Sequence, residues 1–139
     1  MKIKDVMTAE VRTAAPDDTI QAAAEMMRQA DSGVLPVGEN DRLVGMITDR
    51  DIAVRAVAEG RGPNTSVRDV MSPEVKYCFE DDDLDSVANN MANLKVRRLP
   101  VVNADKRLVG MVSLGDFSGR DAAQEALQGV TQPGQPHAT

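Results

Sequence analysis

The chain of 139 residues carries a net charge of −6, with 42% hydrophobic and 27% charged residues, a composition typical of a folded globular protein. This acidity argues against binding to a long nucleic acid, because such binding requires Lys and Arg to neutralise many phosphates. Cys78 is the only cysteine, and no apolar run reaches the roughly 20 residues of a membrane helix. We therefore expect a cytoplasmic protein with no intrachain disulfide, no membrane segment and no nucleic-acid partner.

The sequence repeats itself once. The Asp-Val-Met-Thr motif at residues 5–8 returns 64 residues later as Asp-Val-Met-Ser, and Leu-Pro-Val at 35–37 returns in the same register. After one inserted residue, Leu-Val-Gly-Met at 43–46 returns at 108–111. This register predicts repeat 1 over residues 1–62 and repeat 2 over residues 63–128, followed by a disordered tail at 129–139.

The first repeat begins with an extended segment at 10–15 and a helix capped by Thr19. Gly33 is predicted to end this helix. Apolar residues recur at helical spacing and predict one buried stripe. The stripe comprises Ile20, Ala23, Ala24, Met27 and Ala30.

Two short apolar strands follow at 34–37 and 43–47. The Asn40-Asp41 pair between them favours a hairpin. A second helix is predicted from Asp51 to residue 59, with Gly60 at its end.

The second repeat predicts the same order of elements. These are an extended segment at 74–79, a helix capped by Asp83, a hairpin of strands 98–102 and 108–112 joined at Ala104-Asp105, and a helix from about Asp116 to 127. The apolar stripe of its first helix comprises Leu84, Val87, Met91 and Leu94. We therefore predict an α/β (α+β) fold built from tandem βαββα units.

The motif Thr48-Asp49-Arg50-Asp51 lies where a strand meets a helix, and Ser113-Leu114-Gly115-Asp116 is its equivalent. A hydroxyl at a helix start can donate to a phosphate that also receives backbone N–H bonds, and the carboxylate can accept from a ribose diol. The alternative is a helix-capping box. A reciprocal box usually has Glu or Gln at its third position, so the Asp in both copies favours the nucleotide interpretation.

The two repeats differ in charge beside the Leu-Pro dipeptide. Gly33-Val34 corresponds to Arg97-Arg98, with Lys95 nearby. An Arg pair can hold a phosphate, so one interpretation is an anion site. The alternative is a surface charge cluster that pairs with the acidic run at 81–83.

The sequence offers little for catalysis. The only histidine, His137, lies in the tail, and Cys78 has no histidine to activate it. We therefore expect no enzymatic activity, no metal and no cofactor.

Residues 3–121 resemble a pair of CBS domains, the regulatory repeat of cystathionine β-synthase, which forms a Bateman module. The resemblance rests on the Asp-Val-Met motifs, the two Leu-Pro-Val segments and Leu-Val-Gly-Met before each hydroxyl-x-x-Asp motif. It implies two repeats packed about a pseudo-twofold axis, two clefts between them, and a homodimer. The clefts of this family bind adenosyl ligands such as AMP, ADP, ATP, S-adenosylmethionine or NAD.

The resemblance also implies roles for particular residues. Asp51 and Asp116 would hold ribose hydroxyls, and Thr48 and Ser113 would face phosphate. Because Leu114-Gly115 replaces the charged pair Asp49-Arg50 in repeat 2, the second cleft would bind differently or not at all unless Arg97 and Arg98 compensate. The residues flanking the base would be Thr13, Val34, Leu35 and Pro36 in one cleft, and Tyr77, Arg98, Leu99 and Pro100 in the other.

The function expected from this resemblance is a stand-alone regulatory or sensor module that binds an adenosyl ligand and acts on a separate target protein. The alternative is a protein-interaction module that binds no nucleotide. In that case Thr48 and Asp51 would serve only as a helix cap.

Overall fold

The computed structural model describes residues 1–73 and 75–117, and the chain divides into two compact units. Among the described residues, the central unit comprises residues 12–73 and 75, and the terminal unit combines residues 1–11 with residues 76–117. Each unit therefore takes its Asp-Val-Met motif from one repeat and its hairpin from the other. The boundaries at residues 62 and 128 follow from the duplication in the sequence. As domain boundaries they stay a prediction.

The central unit is built on a helix and a hairpin. Helix α1 (Ile20–Ala30) precedes antiparallel strands β1 (Val34–Glu39) and β2 (Arg42–Thr48). Asn40 and Asp41 between the strands both have left-handed backbone angles, with φ of 55° and 64°. This is the two-residue turn that matches the twist of a hairpin, as the sequence predicted.

The segment after β2 is helical but irregular. A single α-helical turn, α2 (Asp49–Asp51), continues as a π-helix at Ile52–Ala56 and a 3₁₀ turn at Val57–Glu59. Gly60 ends it with φ of 78°, which confirms the predicted glycine stop. The helix begins two residues before the predicted start.

The terminal unit has a three-stranded sheet. Strand β3 (Cys78–Phe79) runs parallel to β4 (Arg98–Val102), which is antiparallel to β5 (Leu108–Ser113). Helix α3 (Leu84–Leu94) lies between β3 and β4 in the chain, and a 3₁₀ turn at Leu114–Phe117 follows β5. The remainder of the predicted last helix, and the predicted disordered tail with His137, lie outside the described residues.

The observed starts of α1 and α3 agree with the caps predicted from the sequence, whereas the observed end of α1 differs from the prediction. Thr19 Oγ1 accepts from Ala22 N at 3.1 Å, and Asp83 Oδ2 accepts from Ser86 N at 3.3 Å. The predicted helix stop at Gly33 is wrong, because α1 already ends at Ala30 with Asp31 in the left-handed region at φ 50°. Lys95 ends α3 in the same way at φ 57°.

The predicted extended segments at 10–15 and 74–79 form less strand than expected. In the first, Ala14 makes one parallel bridge with Val37. In the second, Cys78–Phe79 is the strand.

Each unit has its own hydrophobic core. Of the predicted stripes, Ile20, Ala23 and Met27 are buried on α1, and Leu84, Val87 and Met91 on α3. Ala24 and Ala30 are exposed, so the stripe on α1 is narrower than predicted. The central core includes Val67 and Val70 from the second Asp-Val-Met segment, and the terminal core includes Ile3 from the start of the chain. No helix in the described part of the chain is long and apolar enough to span a membrane.

Candidate functional site

Thr48 and Asp51 meet at the end of β2 in the central unit. Thr48 Oγ1 accepts from Asp51 N at 3.0 Å, and Asp51 Oδ2 accepts from Thr48 N at 2.9 Å. These two bonds form a reciprocal capping box. The expectation that aspartate disfavours such a box is therefore wrong, because its shorter side chain reaches the cap backbone in this turn.

The other N–H groups of this turn also have acceptors within the chain. Asp49 N donates to the Gly33 carbonyl at 2.9 Å, and Arg50 N donates to Asp49 Oδ1 at 2.8 Å. Ile52 N donates to the Asp49 carbonyl. The backbone N–H groups that were expected to bind a phosphate already have acceptors, so a phosphate here would be held by side chains. The Thr48 hydroxyl accepts a bond in the box and still has its own proton to donate.

The Asp51 carboxylate is oriented by its neighbours. Its side chain is 17% exposed, and while Oδ2 accepts from Thr48, Oδ1 lies 3.9 Å from Arg55 Nε. Arg55 Nη1 also donates to the carbonyls of Met71 at 3.3 Å and Val70 at 3.5 Å. Arg55 thus links the carboxylate to the Asp-Val-Met segment within the central unit. Sequence reasoning missed this residue, although its i,i+4 spacing from Asp51 is a recognisable helical ion-pair signal.

The predicted base-flanking residues of the central unit lie beside the hydroxyl. Val34 is the cross-strand partner of Thr48. Val34, Leu35 and Pro36 are buried in β1, whereas Thr13 is exposed. Because Ala14 N donates to the Pro36 carbonyl at 3.0 Å, Thr13 adjoins this strand. The central unit therefore gathers its predicted site residues at β1, β2 and α2, with Arg50 exposed on the first turn.

The equivalent residues of the terminal unit adopt a related arrangement. Asp116 Oδ2 accepts from Ser113 N at 2.7 Å and from the Ser113 hydroxyl at 3.3 Å. Arg98 is the cross-strand partner of Ser113.

The predicted base-flanking residues here are divided between β4 and the segment before β3. Leu99 and Pro100 are buried in β4, and Tyr77 is 38% exposed just before β3. The rings of Tyr77 and Phe79 stack edge-on at 5.7 Å.

The acidic run at 81–83 has partners other than the arginine pair. Asp81 forms ion pairs with Lys4 at 3.1 Å and Lys2 at 3.6 Å. The hydrogen bond between Lys4 and Asp81 raises the pKa of the lysine and lowers the pKa of the carboxyl. Asp82 Oδ2 accepts from Phe79 N, and Asp83 caps α3. The charge cluster between this acidic run and the arginine pair stays a prediction.

Other chemistry has little support among the described residues. Cys78 is buried, and desolvation together with the nearby Asp82 charge raises the pKa of its thiol to about 12. Such a thiol stays protonated at neutral pH and is a poor nucleophile. Within residues 1–73 and 75–117, no group of three His, Cys, Asp or Glu side chains is placed to hold a metal ion.

Comparison with known proteins gives a consistent family assignment. The family model "CBS domain" matches residues 3–57 and 67–121. The CBS domain-containing protein YhcV of Bacillus subtilis is 43% identical over 124 residues, which span 89% of this chain and 88% of that protein.

Two solved structures resemble the fold and contain ligands. The CBS domain pair of MJ0100, in complex with 5′-methylthioadenosine and S-adenosyl-L-methionine, aligns with a TM-score of 0.73 and 30% identity over 85% of this chain and 93% of that one. CBSX2 in complex with AMP aligns with a TM-score of 0.73 and 26% identity over 91% of this chain and 96% of that one.

Proposed function

The chain belongs to the CBS domain family, and on that premise we propose that it is a regulatory module that binds an adenosyl ligand and acts on a separate target protein. Candidate ligands are AMP, ADP, ATP, S-adenosylmethionine and NAD. One observation carries the proposal: both units hold an aspartate with one carboxylate oxygen fixed on the backbone N–H of the preceding hydroxyl residue. The ligands of the similar MJ0100 and CBSX2 structures support it.

In this proposal the carboxylates of Asp51 and Asp116 accept hydrogen bonds from the ribose hydroxyls. Such charge-assisted bonds are worth roughly 1.5–3 kcal/mol each. The hydroxyls of Thr48 and Ser113 face the phosphate when the ligand has one. The buried strand segments at 34–36 and 98–100 provide apolar and backbone contacts to the base.

The alternative, an interaction module that binds no nucleotide, has its own support. The capping box gives Thr48 and Asp51 a complete structural role without any ligand. Repetition of the motif does not separate the two functions, because a duplicated helix also duplicates its cap. The test must therefore measure binding and capping independently.

Thermal unfolding of the full chain with a panel of adenosyl ligands separates the two functions. GTP serves as a non-adenosyl control. A ligand present at 100 times its dissociation constant stabilises the folded state by about 2.7 kcal/mol. We expect a rise in the melting temperature with at least one adenosyl ligand and a smaller rise with GTP. The absence of a rise with every adenosyl ligand would favour the interaction module.

Two matched variants separate ligand binding from capping. Asp51→Ala and Thr48→Ala each break the capping box, but only Asp51→Ala removes the proposed ribose acceptor. We expect Asp51→Ala to abolish the binding of adenosine to the central unit. Thr48→Ala should bind adenosine with the affinity of the wild-type protein. Equal losses in the two variants would assign both residues to the cap alone.

The expectations of a homodimer, a cytoplasmic location and no enzymatic activity stay predictions. Sedimentation velocity at micromolar concentration tests the first of them directly. A sedimenting species of twice the chain mass is expected, and a single species of 14.9 kDa would contradict it.

A further inference from the structure

The two candidate sites differ in charge at the two ends of the same backbone bridge. In the central unit Asp49 N donates to the Gly33 carbonyl at 2.9 Å, and in the terminal unit Leu114 N donates to the Arg97 carbonyl at 3.0 Å. The same backbone bridge therefore joins a glycine to an aspartate in one unit and an arginine to a leucine in the other.

The Asp49 carboxylate occupies the space that a side chain at position 33 would need. A Cβ added to Gly33 would lie 2.5 Å from Asp49 Oδ2 and 2.8 Å from Asp49 Cγ. The carboxylate is fixed there because its Oδ1 accepts from Arg50 N at 2.8 Å. In the terminal unit Leu114 is buried at 8% exposure, and the exposed Arg97 takes the position of the glycine. The central unit thus has a carboxylate at the position from which the Arg97 side chain extends in the terminal unit.

In each unit the charged residue is close in the chain or across the hairpin to the hydroxyl residue that is proposed to face a phosphate. Asp49 directly follows Thr48 in the chain, and Arg97 directly precedes the cross-strand partner of Ser113. The charge of Arg55 is directed to Asp51 and to the carbonyls of Val70 and Met71 rather than to Asp49. A phosphate beside Thr48 would therefore meet a carboxylate, whereas one beside Ser113 would meet a guanidinium.

We propose that the Gly33–Asp49 pair makes the central unit selective for adenosyl ligands without a phosphate, namely a nucleoside or an adenosyl sulfonium, and that Arg97 makes the terminal unit selective for phosphate-bearing ligands. This inference rests on the proposed function, since it concerns the ligand class of the same two sites. One chain would then respond to two chemically distinct adenosyl ligands.

Site-resolved titration of the ¹⁵N-labelled full chain tests the inference. The backbone amides of Thr48 and Ser113 report on the central and terminal units, and adenosine and AMP are titrated separately. We expect adenosine to bind the central unit more tightly than AMP, and AMP to bind the terminal unit more tightly than adenosine. Similar affinities of adenosine and AMP within each unit would overturn the inference.

The variant Asp49→Asn keeps an oxygen acceptor for Arg50 N and removes the charge. Because like charges about 4 Å apart in water repel by about 1 kcal/mol, we expect the AMP affinity of the central unit to rise about fivefold in this variant. Adenosine affinity should stay within about twofold, and added salt should shrink the AMP effect. The control variant Arg50→Gln removes an adjacent exposed charge of the other sign and should not raise AMP affinity.

The variant Arg97→Gln tests the terminal unit, where the exposed side chain can be changed without disturbing the core. We expect its AMP affinity to fall about fivefold with adenosine affinity unchanged. Unchanged AMP affinity in both Asp49→Asn and Arg97→Gln would overturn the inference while leaving the proposed function intact. If neither adenosine nor AMP shifts either amide, and the melting panel shows no binding, the proposed function fails and the inference fails with it.

Discussion

Thr48 and Asp51 close the start of α2 through two reciprocal hydrogen bonds. We expect Thr48→Ala and Asp51→Ala each to lower the free energy of unfolding of the ligand-free protein by about 1 kcal/mol, the usual cost of losing an N-terminal cap. Urea denaturation measures this loss, with Arg50→Ala as an exposed control of the same turn. Wild-type stability in both cap variants would show that the box contributes nothing to folding.

Two glycines allow close approach of the Asp-Val-Met segments to the hairpins. A Cβ at Gly45 would lie 2.9 Å from the Ser72 carbonyl oxygen, and one at Gly110 would lie 2.6 Å from the Thr8 carbonyl oxygen. Since backbone must move to relieve these contacts, we expect Gly45→Ala and Gly110→Ala to destabilise the protein by about 1–3 kcal/mol. Gly62→Ala is the matched control, because a Cβ there meets nothing within 4 Å. Equal stability of the three variants in urea would contradict these contacts.

Cys78 provides a chemical test of the terminal core. Its thiol is buried, with a pKa raised to about 12, so little thiolate exists at neutral pH. We expect an aromatic disulfide reagent to react with it slowly in the folded protein and rapidly in urea. Rapid reaction without denaturant would show that this core opens readily.

The structural roles of some residues could be predicted from their neighbours in the sequence. The roles of others depend on tertiary contacts and could not. The caps Thr19 and Asp83 were predicted correctly because a cap needs only the following turn of its own helix. Gly33 was misassigned as a helix stop because Asp31 already ends α1 in the left-handed region, and what lies beside Gly33 is the carboxylate of Asp49, sixteen residues along the chain. The identities of Gly33 and Asp49 do not by themselves predict that the two residues lie in contact.

At the scale of elements, both α1 and α3 end on a residue other than glycine in the left-handed region. Because Asp31 has φ of 50°, a conformation that glycine adopts without strain, we expect Asp31→Gly to stabilise the protein by about 0.5–1 kcal/mol. Ala24→Gly, at an exposed position within α1, should destabilise it by about 1 kcal/mol. Thermal unfolding compares the two, and a loss of stability in Asp31→Gly would contradict the assigned helix end.

The hairpins and long helices could be predicted because alternation, helical periodicity and turn residues are properties of short segments. The π-helix at Ile52–Ala56 could not, because no residue pattern in it departs from an ordinary helix. The segments at 10–15 and 74–79 were predicted as longer strands than they form. Among the described residues of these segments, Ala14 and Cys78–Phe79 form the strand pairing, and this pairing depends on partners distant in sequence.

At the scale of the whole molecule, the duplication indicates which residues are equivalent but not which copies pack together. Ser72 pairs with Met46 in the central unit, and Thr8 pairs with Met111 in the terminal unit. Each hairpin therefore receives the Asp-Val-Met segment of the other repeat. The sequence could not reveal this exchange, because both segments carry the same motif and either would fit either hairpin.

The proposed ribose contact is the central claim about this molecule, and one measurement tests it most directly. Isothermal titration of the full chain compares a bound adenosyl ligand with its 2′-deoxy analogue under the same conditions. Loss of a hydrogen bond to a charged carboxylate costs roughly 1.5–3 kcal/mol, so we expect the deoxy ligand to bind about 10- to 150-fold more weakly. Equal affinities for the two ligands would contradict the assignment of Asp51 and Asp116 to the ribose.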